Sequence, residues 1–262
     1  MNGNYVTAKK HLGQHFLKDQ NIARKITDAL ALDKCHQVIE IGPGMGILTG
    51  FLIEKPDISL RVIEIDAESI EFLKKKYSER EPFIIQGDFL ATNLSLIFQG
   101  SFSIIGNFPY NISSQIFFKI MDHRDQVTEV VGMVQKEVAE RICHGPGSKT
   151  YGILSVLLQT FYDIEYLFTV GETVFIPPPK VKSAVIRLRR NKRVKLDCNE
   201  KFFFTVVKTA FNQRRKMLSN ALKSIGMKIP EEFAMKRAEQ LSVEEFITMA
   251  REMENPETLP FD

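Results

Sequence analysis

The residues best suited to chemistry stand at the ends of short apolar runs. Residues 38–41 lead into Gly42-Pro43-Gly44-Met45-Gly46, a strand feeding a glycine-rich turn and then a helical pattern. Glycine lets a backbone turn sharply and lets a ligand come close, and the helix that follows would offer it free N–H groups. A dinucleotide loop wants G-x-G-x-x-G. Here the third glycine follows the second by two residues, and Pro43 stiffens the turn, which argues against a pyrophosphate ligand. By itself such a turn is weak evidence for any ligand. A second run ends at Glu64, 22 residues after Gly42, where an acid is placed to accept hydrogen bonds from ribose hydroxyls. Its neighbour Asp66 suits a helix cap instead. A third run ends at Gly87-Asp88. Glycines and two acids on successive strand ends suit a nucleoside-like ligand without phosphate. S-adenosylmethionine fits, with a ribose diol, an adenine amino group and a cation in place of an anion.

A fourth run, residues 102–105, is followed by Gly106-Asn107-Phe108-Pro109-Tyr110 on the same edge. Asn-x-Pro alone is a common turn. The full N-x-P-Y tetrad in this place is more specific and resembles the amino-methyltransferases that act on adenine N6 or similar planar amines. An exocyclic adenine amine is a poor nucleophile because its lone pair is delocalised into the ring. Two acceptors aimed at its hydrogens favour a pyramidal, nucleophilic nitrogen. The Asn107 side-chain oxygen suits one role and the Phe108 backbone carbonyl the other, so the Phe108 side chain is free to vary. Pro109 fixes the turn, and Tyr110 offers a ring on which an extruded base stacks. No strong base is needed, since the amine becomes acidic once methylated, and in-line positioning carries most of the rate.

These residues need a sheet that brings its strand ends to one edge. Residues 38–41, 60–65, 83–86, 102–105 and 129–135 have the character of strands, and residues 22–30, 45–53, 69–77, 112–121 and 136–142 that of helices. Strands alternating with helices imply right-handed crossovers and a parallel sheet covered on both faces. The expected fold is α/β, a Rossmann-like S-adenosylmethionine-dependent methyltransferase sheet with a small C-terminal all-α domain. After about residue 190 the pattern changes: residues 202–225 and 234–253 are expected as helices with no strand between them, and Ser242 with Glu245 has the spacing of a capping box. The expected domains are therefore 1–190 and 191–262, with residues 255–262 as a loose tail.

The 262 residues are 44% hydrophobic and 26% charged, which excludes a disordered chain. Cys35, Cys143 and Cys198 lie far apart with no CxxC spacing, so neither a metal site nor a disulfide framework is expected. With no apolar run long enough to span a bilayer and no signal peptide, the expectation is a soluble, cytoplasmic protein. The net charge is only +3, but it is segregated: residues 187–223 hold twelve Lys/Arg against two acids, a net +10, leaving −7 for the rest. The first 25 residues are basic as well. Such segregation is the footprint of a polyanion-binding face. The candidate RNA contacts are Lys9, Lys10, Lys180, Arg189, Arg190, Arg214, Arg215 and Lys216.

The sequence resembles the rRNA adenine N6,N6-dimethyltransferases over nearly its whole length. The matching segments are Gly13-Gln14-His15-Phe16-Leu17, Ile39-Glu40-Ile41-Gly42-Pro43-Gly44, Val62-Ile63-Glu64-Ile65-Asp66, Gly87-Asp88 and Asn107-Phe108-Pro109-Tyr110-Asn111-Ile112-Ser113. They continue through Gln135-Lys136-Glu137-Val138, Tyr151-Gly152, Phe175-Ile176-Pro177-Pro178-Pro179-Lys180-Val181 and Ala210-Phe211-Asn212-Gln213-Arg214-Arg215-Lys216. The resemblance implies dimethylation of two adjacent adenines in a hairpin loop near the 3′ end of small-subunit rRNA. It implies a role in small-subunit maturation, with the immature subunit as partner and a monomer as the default state. It also implies cofactor contacts at His15, Leu17, Gly42, Gly44, Glu64, Asp88 and Asn107, and a second base-flanking aromatic at Phe175, opposite Tyr110. Two positions differ: the family commonly has Asn at His15 and Leu at Phe108. His15 can still donate to the cofactor carboxylate. Two alternatives stand beside this reading, an erythromycin-resistance type enzyme acting on large-subunit rRNA and a catalytically silent assembly factor with the same fold. The proline run, the 212–216 segment and the length speak against the first, and the intact tetrad and acids against the second.

Overall fold

The computed structural model of the chain describes residues 6–33, 35–78 and 83–254; the tail expected at 255–262 lies outside them. Its centre is β2 (Gln37–Ile41), whose Val38, Ile39 and Ile41 are buried, as a strand covered on both faces requires. β2 pairs in parallel with β3 (Ser59–Glu64) on one side and β5 (Phe102–Asn107) on the other. β4 (Ile84–Gln86) extends the sheet beyond β3, and β6 (Val127–Gln135) lies parallel beside β5. β9 (Ser183–Arg190) runs antiparallel along β6, and β7 (Tyr162–Val170) completes a seven-stranded sheet in the order β4-β3-β2-β5-β6-β9-β7. The chain leaves β2 toward β3 and β4, then returns to β5 on the other side. That reversal is a topological switch point, and it opens a crevice at the carboxyl ends of β2 and β5.

Helices connect the strands. α1 (Gln20–Asp28) begins at Asp19, whose carboxylate accepts from the Asn21 and Ile22 amides at 2.8 and 3.0 Å, an N-cap of the ordinary kind. α2 (Ile47–Ile53) follows the glycine turn and packs on α1. α3 (Ala67–Lys76) is capped by Asp66, and α4 (Ser113–Asp122) and α5 (Lys136–Cys143) follow β5 and β6. A two-stranded ladder the sequence did not suggest pairs β1 (Phe16–Leu17) antiparallel with β8 (Phe175–Ile176).

The chain divides into two compact units. One holds Met1–Ala139 with Asp163–Arg190, and the other Glu140–Tyr162 with Asn191–Asp262. This departs from the expected 1–190 and 191–262, because residues 140–162 join the helical unit. The reason is α6 (Ile153–Phe161), which buries Leu154, Val156, Leu157, Leu158 and Phe161. A helix apolar on nearly every side needs neighbours on every side. It finds them in α7 (Glu200–Asn212) and α10 (Val243–Glu254).

The expected long helix at 202–225 breaks after Asn212. The Gln213 amide bonds the Ala210 carbonyl in a tightened last turn, and the chain restarts as α8 (Leu218–Ala221). Likewise the expected helix at 234–253 resolves into α9 (Glu231–Ala234) and α10. The capping box starts α10: the Glu245 amide donates to Ser242 Oγ at 3.2 Å, and the Ser242 amide donates to Glu245 Oε2 at 2.8 Å. Among the described residues no helix is long and apolar enough to cross a membrane.

Candidate active site

A cavity of about 180 Å³ lies at the switch point, where the glycine turn after β2 and the tetrad after β5 come side by side. His15, Gly42, Gly44, Glu64, Asp88 and Tyr110 line it, together with Asn107, Phe108 and Pro109. Gly44 has φ +54°, and a Cβ there would stand 2.7 Å from Phe16 Cε1, so the turn admits no larger residue.

Glu64 is buried at the end of β3. Its Oε1 accepts from the Ile65 and Asp66 amides at 2.9 and 3.0 Å, and its Oε2 accepts from Gly44 N at 3.1 Å. A carboxylate offers about four lone-pair sites, so Oε2 keeps capacity for a hydroxyl donor in the cavity. Burial pushes the Glu64 carboxyl above its ordinary range, opposed by those three amides. Asp88 Oδ1 accepts from the Leu90 amide at 2.8 Å. Lys119 ties the following loop down through the Leu90 and Thr92 carbonyls, at 2.8 and 2.5 Å.

In the tetrad, Asn107 Nδ2 donates to the backbone carbonyl of His15 at 2.8 Å. That bond fixes which way the amide points and leaves Oδ1 as its free acceptor. The Phe108 amide donates to the Met133 carbonyl at 3.0 Å. Its side chain is 1% exposed and meets Phe117 edge-on, with ring centroids 5.8 Å apart. The Phe108 ring is thus housed within the core. Tyr110 bonds Ser183 through its hydroxyl, and its ring stacks on His15 at 5.3 Å and 28°. Burial raises the Tyr110 phenol above its ordinary pKa. Oδ1 of Asn107 and the Phe108 carbonyl can thus act as a pair of acceptors beside an aromatic ring.

The N-terminal segment, in which the sequence suggested no element, is fastened over this edge. Asn111 Nδ2 donates to the His11 carbonyl at 3.3 Å, and Gln14 donates to Asp66 at 3.3 Å. His15 Nδ1 lies 2.8 Å from the Pro177 carbonyl. A carbonyl only accepts, so Nδ1 carries the proton.

Two expected site residues do not line this cavity, although Leu17 lines a smaller pocket with Gly42 and Asn107. Leu17 and Phe175 face one another in the β1–β8 ladder, 4% and 1% exposed, and both belong to the hydrophobic core. Phe175 is packed in the core, and the ring found stacked on Tyr110 is that of His15. The basic residues divide as well. Lys9 is ion-paired with Asp66 and Glu68, Arg189 with Glu129 at 3.3 Å, and Arg190 donates to the Arg124 carbonyl at 3.2 Å. Arg214 binds Glu239 at 2.7 Å and the Ser148 carbonyl at 3.3 Å, joining three segments of the helical unit. Lys10, Lys180, Arg215 and Lys216 are exposed and make no side-chain hydrogen bond or ion pair among the described residues.

One residue with a bearing on the site was missed. Glu40, on β2 beneath the glycine turn, is buried and accepts from Thr49 Oγ1 at 2.7 Å. Burial pushes its carboxyl up to about 8, with the Thr49 hydrogen bond opposing. Its signal in the sequence was an acid inside a run that must be buried on both faces.

The family model described as ribosomal RNA adenine dimethylase matches residues 5–255. A protein of Flavobacterium johnsoniae named ribosomal RNA small subunit methyltransferase A is 58% identical over 253 residues, 95% of this chain and 97% of its own. A protein of the same name from Bacteroides thetaiotaomicron is 55% identical over 254 residues, 95% of each chain. Among solved structures, a dimethyladenosine transferase from Plasmodium falciparum aligns with TM-score 0.76 and 25% identity, covering 90% of this chain and 96% of that one. The 23S rRNA methyltransferase ErmE aligns with TM-score 0.70 at 23% identity over 92% of this chain and all of that one, a likeness of fold. A strand-end crevice with an acid beside a glycine turn, a fixed Asn-Phe-Pro-Tyr turn and a family match from residue 5 to residue 255 agree: the chain belongs to the ribosomal RNA adenine dimethylase family.

Proposed function

We propose that this protein transfers methyl groups from S-adenosylmethionine to the N6 amines of two adjacent adenines in the 3′-terminal hairpin loop of small-subunit rRNA, giving N6,N6-dimethyladenosine. The observation that carries this reading is the Asn107–His15 hydrogen bond, which leaves Oδ1 as the acceptor end of the amide at the strand-end cavity. The near-full-length relatives with 52–58% identity named ribosomal RNA small subunit methyltransferase A support the choice of small-subunit RNA.

The residues present fit the cofactor. Gly44, whose missing side chain lets the Phe16 ring close on the turn, lies at the cavity beside a buried carboxylate with capacity left on Oε2. Glu64 accepts from the ribose hydroxyls, Asp88 takes the adenine amino group, and Gly42 and Gly44 give the backbone room. When bound, S-adenosylmethionine supplies an electrophilic methyl group on a sulfonium. The chain's own part is to bind and orient. Asn107 Oδ1 and the Phe108 carbonyl accept the two amine hydrogens of the target adenine, which localises its lone pair. Tyr110 stacks on the extruded base, and Pro109 keeps the turn rigid. Positioning of this kind supplies most of the rate, and acceptors held in advance need no reorganisation as charge develops.

The exposed Lys10, Lys180, Arg215 and Lys216 meet the RNA backbone. The partner is the immature small ribosomal subunit, the protein works in the cytoplasm, and it acts as a monomer. Nucleoside mass spectrometry of both ribosomal RNAs, with and without the protein, tests the reading. Loss of dimethyladenosine from the small-subunit RNA is the expected result. Loss from the large-subunit RNA alone would assign the erythromycin-resistance type of activity instead, and no loss from either would leave an assembly factor.

A further inference from the structure

The ring of Phe108 rests between two residues that have no side chain. Gly106 on β5 and Gly132 on β6 face each other in the parallel ladder. A Cβ on Gly132 would stand 2.6 Å from Phe108 Cε2 and 3.1 Å from its Cδ2 and Cζ. One on Gly106 would stand 3.0 and 3.1 Å from Cε1 and Cδ1. With Phe117 edge-on at 5.8 Å and the residue 1% exposed, the ring is held in a close-packed interior. The same residue is fixed to β6 a second time, since its amide donates to the carbonyl of Met133, next to Gly132.

We infer that Gly132 is a positioning residue for methyl transfer: its missing side chain seats the Phe108 ring and thereby sets where the Phe108 carbonyl stands. This rests on the reading that this carbonyl accepts from the target amine. Ring and carbonyl hang from one Cα, so a methyl at position 132 that lifts the ring also tilts the acceptor. Gly132 isolates the effect better than Gly106, where a Cβ would also meet the Ile41 carbonyl at 2.6 Å.

The test is steady-state methyl transfer by the full chain to immature small subunits, with kcat and both KM values measured. Gly132→Ala is expected to lower kcat by about tenfold or more while both KM values stay within about twofold. Adding Phe108→Leu to Gly132→Ala is expected to recover most of that loss, because leucine lacks the Cε2 and Cζ atoms that the new methyl meets. An unchanged kcat in Gly132→Ala overturns the inference, and so does a folded double variant no more active than the single. If Gly132→Ala does not fold, Phe108→Leu is compared with the double variant. Equal kcat within about twofold upholds the seat, and a further loss of about tenfold overturns it. Asn107→Ala, assayed alongside, keeps the two failures apart. Full transfer in that variant sinks the acceptor reading, whereas loss there with a normal Gly132→Ala sinks only the seat.

Discussion

The amide of Asn107 and the main-chain carbonyl of His15 are 92 residues apart in sequence and 2.8 Å apart in the fold. The bond runs from Nδ2, so Oδ1 is the end left for a substrate. It also ties the N-terminal segment to the Asn-Phe-Pro-Tyr turn through a backbone acceptor, which survives any side-chain change at His15.

Asn107→Ala removes one of two acceptors. Transfer of labelled methyl to immature small subunits is expected to fall by about 100-fold or more, with RNA binding retained. Asn107→Asp is expected to fail as well, because an ionised carboxylate has no donor for the His15 carbonyl and repels it. An Asp variant with near-normal turnover would show that the amide is not held in this way.

His15 has its ring on Tyr110 and Nδ1 on the Pro177 carbonyl, and an aromatic contact of this kind is worth about 0.5–1.5 kcal/mol. His15→Ala is expected to act on the RNA side of the kinetics, with KM for RNA raised or kcat lowered by about two- to tenfold. A rise confined to the KM for the methyl donor would return His15 to the cofactor contact implied by the family resemblance.

The basic residues separate by their partners. Lys10→Ala, Arg215→Ala and Lys216→Ala are each expected to reduce the slope of log affinity against log salt by about 0.7–0.9. Lys9→Ala and Arg214→Ala are expected to leave the slope alone and lower the melting temperature. The first strips Asp66 of its ion pair, and the second costs about 1 kcal/mol for the partly buried Glu239 contact. A changed salt slope in Arg214→Ala would place that side chain on RNA after all.

Glu40 gives a pH signature. The folded protein holds its proton up to about pH 8, while an unfolded chain releases it near 4.5. Between those values the folded state binds more protons, so unfolding free energy falls as pH rises and levels off above the folded value. Glu64 is shifted in the same direction, whereas Asp66 is held low and acts only at more acid pH. Urea unfolding from about pH 5 to 9 is expected to show a loss of about 3 kcal/mol or more, much of it absent in Glu40→Gln. Identical profiles for the two proteins would mean that Glu40 ionises freely in the fold.

What was legible in the sequence had a local cause. The sheet strands that carry the site, the caps at Asp19 and Asp66 and the Ser242–Glu245 box depend on residues within a few positions of one another, so periodicity and cap chemistry expose them. Glu64, Asp88 and the tetrad could be placed on one edge because parallel strands bring their carboxyl ends together. The β1–β8 ladder was hidden because each of its strands has two residues and its pairing spans the length of the sheet unit. α6 was hidden because a helix apolar on nearly every side has little polar face to mark its period.

By itself, then, the sequence determined the fold class and which strand ends and turns meet at one edge, since each follows from residue types at short spacing. The tertiary structure decided which side chains are free to act. It sent Phe175 and Leu17 into the core, put His15 on Tyr110, and tied up Lys9 and Arg214 in ion pairs. It also seated Phe108 on two glycines that the strand pattern could not connect. These are contacts between residues far apart in the chain. Whether a charge is paired or a ring enclosed depends on neighbours that only the folded chain brings together.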